Sequence, residues 1–293
     1  MTGTLYVVST PIGNLSDISP RAVQVLREVG ACYVEDTRRT RKLLAAYHIR
    51  VPLRSFHSHN EQARIGEVLD RLRRGEDCAL VSDAGMPGVS DPGFRLVRAA
   101  HDAKCRVVPV PGPSAVSTAV AASGLPGGRY LFLGFAPRSG GGRREWMRWA
   151  VTSPVTVVAF ESPRRVAGLL ADLEGAGCGE RICVLCREMS KLHEEIRRST
   201  VHDLLGDLGE GDLKGEVTLV MEGSGVAAGP GAWEGAPPCS APPGQETARR
   251  VAREWLRVGR STRDTVEHLR SQFGLSRNQA YEVALSADRG VEP

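Results

Sequence analysis

The sequence predicts an α/β protein built from two domains in which strands and helices alternate along the chain. Residues 79–81 and 106–110 are short, mostly aliphatic runs closed by turn residues, which is typical of buried strands. Between them, residues 92–103 carry apolar side chains at helical spacing on one side. A strand, a helix and a strand in succession favour parallel strands, and parallel sheets bind ligands beyond the carboxyl ends of their strands.

The composition indicates a globular protein rather than a fibrous or membrane protein. The 293 residues are 41% hydrophobic and 25% charged, with a formal net charge of +4. No apolar run approaches the roughly 18–20 residues that cross a bilayer, and the start of the chain lacks a basic region before a long apolar segment, so we expect a cytoplasmic protein. The seven cysteines are an odd number, which favours reduced thiols. Cys183 and Cys186 would point to opposite faces of a strand, so no metal site is predicted.

Residues 1–122 are predicted to form the first α/β domain, with a mostly parallel sheet. Ser19 is the expected N-cap of its first helix, and Pro20 occupies the first turn. The expected strands are residues 5–9, 32–34, 79–81 and 106–110, and the other helices are residues 43–47, 61–74 and 92–103.

Residues 123–222 are predicted to form the second α/β domain. Its expected strands are residues 130–135, 155–160, 181–186 and 217–221, separated by helices at 167–173 and 200–208. Residues 223–245 are crowded with Gly, Pro and Ala and lack periodicity, which is typical of a linker.

Residues 246–293 show three short helical patterns and are interpreted as a small helical extension. Ser261 and Asp264 begin the second pattern, while Ser276 and Gln279 begin the third with the spacing of a capping box. Gly274 is placed where a glycine often follows a helix.

Two loops rich in Gly and Pro follow the predicted strands that end at residues 81 and 110. Gly85, Gly88 and Gly112 allow sharp turns and a close approach of a ligand to the backbone, while the prolines limit the conformations of the loops. Asp83, Ala84, Ser90, Asp91 and Ser114 fall at the same edge. Any one of these residues alone could be an ordinary turn residue, but two such loops around one strand–helix–strand unit indicate a rim that binds a polar cofactor.

Nine motifs occur together in the first 222 residues. They are VVSTPIGNLSDIS (7–19), EDTRRTRKLL (35–44), SFHSHNE (55–61), VSDAGMPGVSDPG (81–93), VPGPSA (110–115), LGFAPR (133–138), FESPRR (160–165), CREMSKLHEE (186–195) and GEVTLV (215–220). In this combination the chain resembles the tetrapyrrole methylase superfamily, and within it the enzymes that methylate the ribose 2′-hydroxyl of a cytidine in bacterial small-subunit (16S) ribosomal RNA.

The resemblance implies two α/β domains of the tetrapyrrole methylase type with an inter-domain cleft that holds S-adenosylmethionine, usually in a homodimer. The implied substrate is the RNA itself or the assembled 30S subunit. The linker at 223–245 looks longer and richer in proline than is usual in this family. Carried over by motif, the cofactor-binding residues would be Pro11, Asp83, Ala84, Gly85, Ser90, Ser114, Ala115, Phe135 and Leu192, with parts of the strand near Val217 from the second domain.

A ribose hydroxyl is a weak nucleophile, so a base or a cation near its oxygen should assist methyl transfer. For residues 191–195 a solvated charged turn is the alternative, and a histidine in a polar loop is often only exposed. Glu161 and Arg164 are expected to form an ion pair where the domains meet. The candidate catalytic residues are Lys191, His193, Glu194, Asp36 and His57.

Clustered arginines are the expected phosphate contacts, because a guanidinium group pairs bidentately with phosphate. They disfavour a small-molecule methylase that acts on a tetrapyrrole, since basic loops do not suit a largely buried macrocycle. A non-catalytic RNA-binding module whose C-terminal helices carry the binding is a third hypothesis. The candidate RNA-binding residues are Arg38, Arg39, Arg41, Arg138, Arg143 and Arg144.

Overall fold

The structure, a computed structural model, describes residues 2–208, 213–224, 251–253, 255–256, 261–273 and 277–288. The chain divides into two compact units, residues 1–136 with 146–225 and residues 137–145 with 226–293. The first unit contains two five-stranded sheets, one from each half of the sequence predicted to be α/β.

The first sheet is entirely parallel, as the alternation of strands and helices predicts. Its strand order is β3-β2-β4-β1-β5. Parallel orientation of β4 and β5 is confirmed, but both strands pair with β1, which lies between them. Val8 of β1 is aligned with Val81 of β4 and Val110 of β5, so these three strands end at one edge. The strands are β1 (Thr4–Val8), β2 (Ala31–Val34), β3 (Leu53–Ser55), β4 (Cys78–Val81) and β5 (Arg106–Val110).

Five helices belong to the same half of the chain. Ser19 caps the first of them, since its side chain accepts a hydrogen bond from the Ala22 N–H at 3.1 Å. The second begins well before the predicted residue 43, because Asp36 caps it by accepting from the Arg38 N–H at 2.8 Å. The helices are α1 (Pro20–Glu28), α2 (Thr37–Ala46), α3 (Glu61–Arg73), α4 (Phe94–Asp102) and α5 (Ala115–Ser123), with a short 3₁₀ turn at Leu15–Asp17.

The second sheet is mixed, with strand order β6-β7-β10-β8-β9. Only its β6–β7 pair is parallel. The sequence did not predict β9, a mostly polar strand of sequence EIRRST at the end of the sheet. Its elements are β6 (Tyr130–Phe135), α6 (Gly140–Thr152), β7 (Thr156–Glu161), α7 (Pro163–Leu173), a π-helical turn (Glu174–Cys178), β8 (Ile182–Arg187), β9 (Glu195–Thr200), α8 (Val201–Leu208) and β10 (Val217–Met221).

The two faces of the second sheet pack against different partners. Cys183 belongs to a core shared with α6, α7 and α8, whereas Cys186 packs with Ile12 and with Val116 of α5. The prediction that these two cysteines point to opposite faces is confirmed. Because α5 and the loop at Ile12 come from the first half of the chain, this second core joins the two sheets and holds their loops at fixed positions.

The second compact unit contains α9 (Thr262–Phe273) and α10 (Arg277–Asp288), together with helical residues at 251–253 and 255–256. Ser261 caps α9 as predicted, since its hydroxyl accepts from the Asp264 N–H at 3.1 Å. Residues 225–245 of the predicted linker, Gly274 and Ser276 lie outside the described residues. Within the described segments, no helix is both long and apolar enough to cross a bilayer. The core of the second compact unit contains Ala252, Val266, Leu269, Ala280, Val283, Ala284 and Ala287.

Candidate active site

Residues from both sheets line a cavity of about 430 Å³, which we call the main cavity. This volume is within the range of roughly 300–1,000 Å³ that small-molecule sites occupy. The first half of the chain contributes residues 12, 35, 39, 83–86, 89–91, 114 and 115, and the second half contributes residues 135, 160–163 and 215–218.

Hydrogen bonds tie together the three loops that follow β1, β4 and β5. The Thr10 N–H donates to the Gly85 carbonyl at 2.9 Å, and the Gly85 N–H donates back to the Thr10 carbonyl at 3.0 Å. The Ser9 hydroxyl donates to the Pro113 carbonyl at 2.7 Å. Gly85 has φ +78°, a left-handed conformation that favours glycine. The rim at the end of the first sheet is therefore held in one arrangement, as the sequence predicts for a binding site.

Three carboxyl groups face the main cavity from the first half of the chain. Asp83 Oδ1 accepts from the Asp36 N–H at 3.0 Å, and Oδ2 lies 3.5 Å from Arg39 Nη1. Burial raises the pKa of Glu35 and of Asp83. Repulsion from Asp83 adds to the rise for Glu35, and repulsion from Asp36 adds to the rise for Asp83. Burial, with repulsion from Glu35, raises the pKa of Asp91 to about 6. This wall of the cavity therefore favours a positively charged ligand.

Two aromatic rings line the wall contributed by the second half. Phe135 ends β6 and remains 55% exposed, and its ring lies 5.5 Å from that of Phe160 in β7. The preceding residue, Gly134, has φ +60°, and the β6–β7 register shifts between Phe132 and Phe135. The irregular strand end presents a flat apolar surface on which an aromatic ligand group could stack.

A buried carboxylate, Glu161, ends β7 at the cavity wall. Its Oε1 accepts from the Ser162 N–H at 2.7 Å, and its Oε2 lies 3.1 Å from Arg165 Nη2. The prediction that Glu161 pairs with Arg164 is wrong. Its partner is Arg165, which lies four positions after Glu161 and on α7. Arg165 also donates to the Ala136 carbonyl, so this pair fixes the chain just beyond Phe135.

Residues 4–205 match the family described as Tetrapyrrole (Corrin/Porphyrin) Methylases. The chain belongs to this family. The resemblance seen in the nine motifs is thus confirmed over most of the two-sheet unit.

Several curated relatives of this chain carry the name ribosomal RNA small subunit methyltransferase I. The protein of Pseudomonas aeruginosa is 43% identical over 259 residues, which cover 87% of this chain and 85% of that protein. The protein of Micromonospora olivasterospora is 40% identical over 290 residues, covering 98% and 88% of the two chains. The Thermotoga maritima protein is 44% identical over 221 residues, covering 75% and 99%.

Solved structures confirm the predicted fold of this chain. A uroporphyrin-III-C-methyltransferase from Thermus thermophilus aligns with a TM-score of 0.54 at 22% identity, covering 77% of this chain and 96% of that one. The cobalt precorrin-4 methyltransferase CbiF aligns with a TM-score of 0.55 at 19% identity, covering 75% and 94%. At these identities the likeness concerns the fold alone.

Most of the residues predicted to bind the cofactor line the main cavity. Pro11 does not line it but precedes Ile12, which does. Leu192 does not line the cavity either, and its side chain is 93% exposed on the loop between β8 and β9. The predicted residues on the wall are Asp83, Ala84, Gly85, Ser90, Ser114, Ala115 and Phe135.

The loop between β8 and β9 places two of the predicted catalytic residues in hydrogen-bond networks. Lys191 Nζ donates to Glu188 at 2.7 Å and to Glu216, a cavity residue, at 3.0 Å. Glu194 accepts from the Ser190 N–H at 2.6 Å. Lys191 therefore reaches the cavity through Glu216, while His193 is exposed.

The remaining two predicted catalytic residues, Asp36 and His57, lie in the first half of the chain but do not line the main cavity. Asp36 pairs with Arg38 at 2.8 Å, which holds the pKa of its carboxyl well below the usual range. The buried Nδ1 of His57 has no hydrogen-bond partner among the described residues, and its ring lies 5.8 Å from that of His59. Both roles stay predictions, because neither residue lines the main cavity.

The predicted RNA-binding arginines fall into both compact units. Arg38 is 84% exposed, Arg39 lines the main cavity beside Asp83, and Arg41 is exposed on the same helix, α2. Residues 138, 143 and 144 belong to the second unit, in which Arg143 donates to the Pro137 carbonyl at 2.9 Å.

Sequence reasoning gave no site role to Glu161, Ser162 or Pro163, which line the cavity from the second half. The strand near Val217 was expected at the cofactor, and Val217 and Thr218 line the cavity together with the preceding Glu216. The motifs FESPRR and GEVTLV contain the pattern that indicates these residues, since polar residues adjoin the strands β7 and β10 there. Polar residues at strand ends were counted as site candidates in the first half, and the same criterion would have found these.

Proposed function

We propose that this chain transfers the methyl group of S-adenosylmethionine to the ribose 2′-hydroxyl of a cytidine in small-subunit (16S) ribosomal RNA. The observation that carries the proposal is the similarity to proteins named ribosomal RNA small subunit methyltransferase I, which extends over 87% and 98% of this chain in two relatives. The substrate is the RNA alone or the assembled 30S subunit, and the enzyme acts as a homodimer.

The residues of the main cavity fit S-adenosylmethionine in charge and shape. When bound, this cofactor supplies an electrophilic methyl group on a positively charged sulfur. Glu35, Asp83 and Asp91 provide negative charge for such a cation, against the single positive side chain of Arg39 among the lining residues described. The exposed ring of Phe135 suits an adenine base, because aromatic rings favour offset-stacked or edge-to-face contacts.

The protein contributes to methyl transfer chiefly by holding the reacting groups in line and by managing the hydroxyl proton. The hydrogen-bonded loops after β1, β4 and β5 supply the rigid part of this site. Asp91, with a pKa of about 6, is ionised at neutral pH yet basic enough to accept a proton. Lys191 keeps Glu216 on the opposite wall in place and supplies positive charge beside it.

The test is mass-spectrometric mapping of ribose methylation in 16S RNA and in 30S subunits that lack the modification, after incubation with S-adenosylmethionine. We expect one new 2′-O-methylcytidine with the wild-type protein and none with Asp83→Ala. Asp102→Ala is the matched control, because Asp102 is an exposed residue of α4 outside the cavity. Sedimentation of the same protein tests the homodimer.

Two results would contradict the proposal. If calorimetry shows cofactor binding while neither free RNA nor 30S subunits become methylated, a small-molecule methylase is the better hypothesis, and its substrate binding should depend little on salt. If the protein binds RNA but not S-adenosylmethionine, the chain is a binding module rather than an enzyme.

A further inference from the structure

A second cavity, of about 480 Å³, lies where α2 connects to β3. We call it the basic pocket. It combines three basic side chains with five aliphatic ones. Its residues include Arg41, Leu44, His48, Ile49, Arg50 and Leu53.

The floor of the basic pocket is built from the turn that ends α2. His48 has φ +52°, a left-handed conformation that reverses the chain, and the Ile49 N–H then donates to the Leu44 carbonyl at 2.9 Å. Leu44 and Ile49 are 4% and 6% exposed, so both are anchored in the core of the first sheet. The pocket therefore has a fixed apolar base under an exposed rim formed by Arg41, His48 and Arg50.

The charges on this rim are not neutralised within the described part of the chain. Arg38 and Arg39, on the same helix, pair with Asp36 and Asp83. For the guanidinium groups of Arg41 and Arg50, by contrast, the described residues provide no ion pair and no hydrogen bond. Two exposed guanidinium groups without a carboxylate partner form a site for an anion, and the geometry of guanidinium suits phosphate in particular.

The helix α2 links the basic pocket to the main cavity. Arg39 lines the main cavity and Arg41 lines the basic pocket. Two residues apart on a helix, they are separated by about 3 Å along its axis and point about 200° apart, so the two cavities lie on different sides of one helix. An RNA strand that passes around this helix would contact both sides.

We propose that the basic pocket binds a nucleotide of the RNA that flanks the methylated cytidine, with Arg41 and Arg50 contacting its phosphate. The sugar or base then lies against the apolar floor at Leu44 and Ile49. This inference rests on the proposed RNA methylation, and it names an interaction that positions the substrate rather than a group that takes part in the chemistry.

The test compares the double variant Arg41→Gln/Arg50→Gln with Arg106→Gln. Arg106 is an exposed arginine of β5, at the opposite end of the first sheet, and serves as a control for charge removal. Methylation of 16S RNA yields KM and kcat, fluorescence anisotropy of a labelled fragment yields its Kd between 50 and 200 mM salt, and calorimetry yields the Kd of S-adenosylmethionine.

For the double variant we expect KM and the RNA Kd to rise roughly tenfold while kcat and the cofactor Kd stay unchanged. The slope of log K against log salt should fall by about 0.7 for each phosphate of a single strand that the variant no longer neutralises. RNA constants equal to those of Arg106→Gln would overturn the inference. A double variant that becomes monomeric would also overturn it, since the pocket would then be an interface between copies of the chain.

The same data separate this inference from the proposed function. If the wild-type protein binds the RNA fragment without methylating any RNA, and the double variant weakens that binding, the pocket is supported and RNA methylation is refuted. If methylation occurs and the double variant leaves it unchanged, the pocket is refuted and the function stands.

Discussion

Affinity for S-adenosylmethionine should fall at mildly acidic pH because of Asp91, and Asp91→Asn should flatten this dependence. Asp91 lines the main cavity, and burial together with repulsion from Glu35 raises the pKa of its carboxyl to about 6, from an ordinary value of 3.8. A cationic ligand binds the ionised carboxylate in preference to the neutral acid. As the pH falls through about 6, binding must therefore release a proton, and the observed affinity declines.

The magnitude follows from the fraction of Asp91 that is ionised. With a pKa of about 6, roughly nine-tenths of the carboxyl is ionised at pH 7 and roughly one-tenth at pH 5. The dissociation constant should thus be roughly tenfold larger at pH 5 than at pH 7, which corresponds to about 1.4 kcal/mol. Glu35 and Asp83, whose pKa values are also raised by burial, would deepen the loss as they become protonated at falling pH.

Isothermal titration calorimetry at pH 5, 6 and 7 measures this directly, and repeating the titrations in buffers of different ionisation enthalpy counts the protons released. For Asp91→Asn we expect weaker binding at pH 7 and a flatter profile between pH 6 and 7. Asp102→Asn, on the exposed side of α4, should behave as the wild type. Parallel profiles for the wild type and Asp91→Asn would refute the reasoning.

Three further predictions concern the packing around the site. Gly13→Ala should destabilise the protein by roughly 1–3 kcal/mol in thermal unfolding. The added carbon would lie 2.8 Å from the Met189 carbonyl oxygen and 2.4 Å from Lys191 Cγ. An unchanged Tm would contradict this packing. Gly66→Ala, inside α3 with nothing within 4 Å, is the matched change and should instead raise stability by about 0.5–1 kcal/mol. Lys191→Met should cost about 1 kcal/mol in urea unfolding at pH 7. The partner Glu188 has a lowered pKa in the folded protein, so that difference should shrink as the pH falls through this pKa, below 4.5. A difference that stays constant while the pH is lowered below 4.5 would count against this reasoning.

Local patterns predicted most elements of the first sheet because its strands are short apolar runs between Gly and Pro turns. The residues from 106 to 110 were predicted as a strand and form β5. The edge strands β3 and β9 escaped prediction, since their residues are polar or only half-buried and lack the apolar pattern of a buried strand. The charged run after β2 also concealed the start of α2, which depends on the cap at Asp36.

The rim of the site was predictable from the sequence, whereas on the opposite wall Phe135 and the strand near Val217 were predicted but the polar residues 161–163 were not. Asp83 and Ser114 follow strands of one parallel sheet, and strand ends of such a sheet meet at one edge whatever the rest of the fold does. Glu161 and Glu216 face them only because α5 packs on the second sheet, through pairs such as Val116 with Cys186. Packing of this kind joins residues far apart in sequence, and no local period records it.

By itself, the sequence determined the two alternating halves, the rigid loops after β4 and β5, and the motifs of the tetrapyrrole methylase family. It did so because turn residues and apolar spacing act over a few neighbouring positions. Only the tertiary structure decided that β1 separates β4 from β5, that Arg165 rather than Arg164 meets Glu161, and which carboxyl groups are buried together. Burial and repulsion depend on distance in space, and the raised pKa of Asp91 is therefore a property of the folded chain.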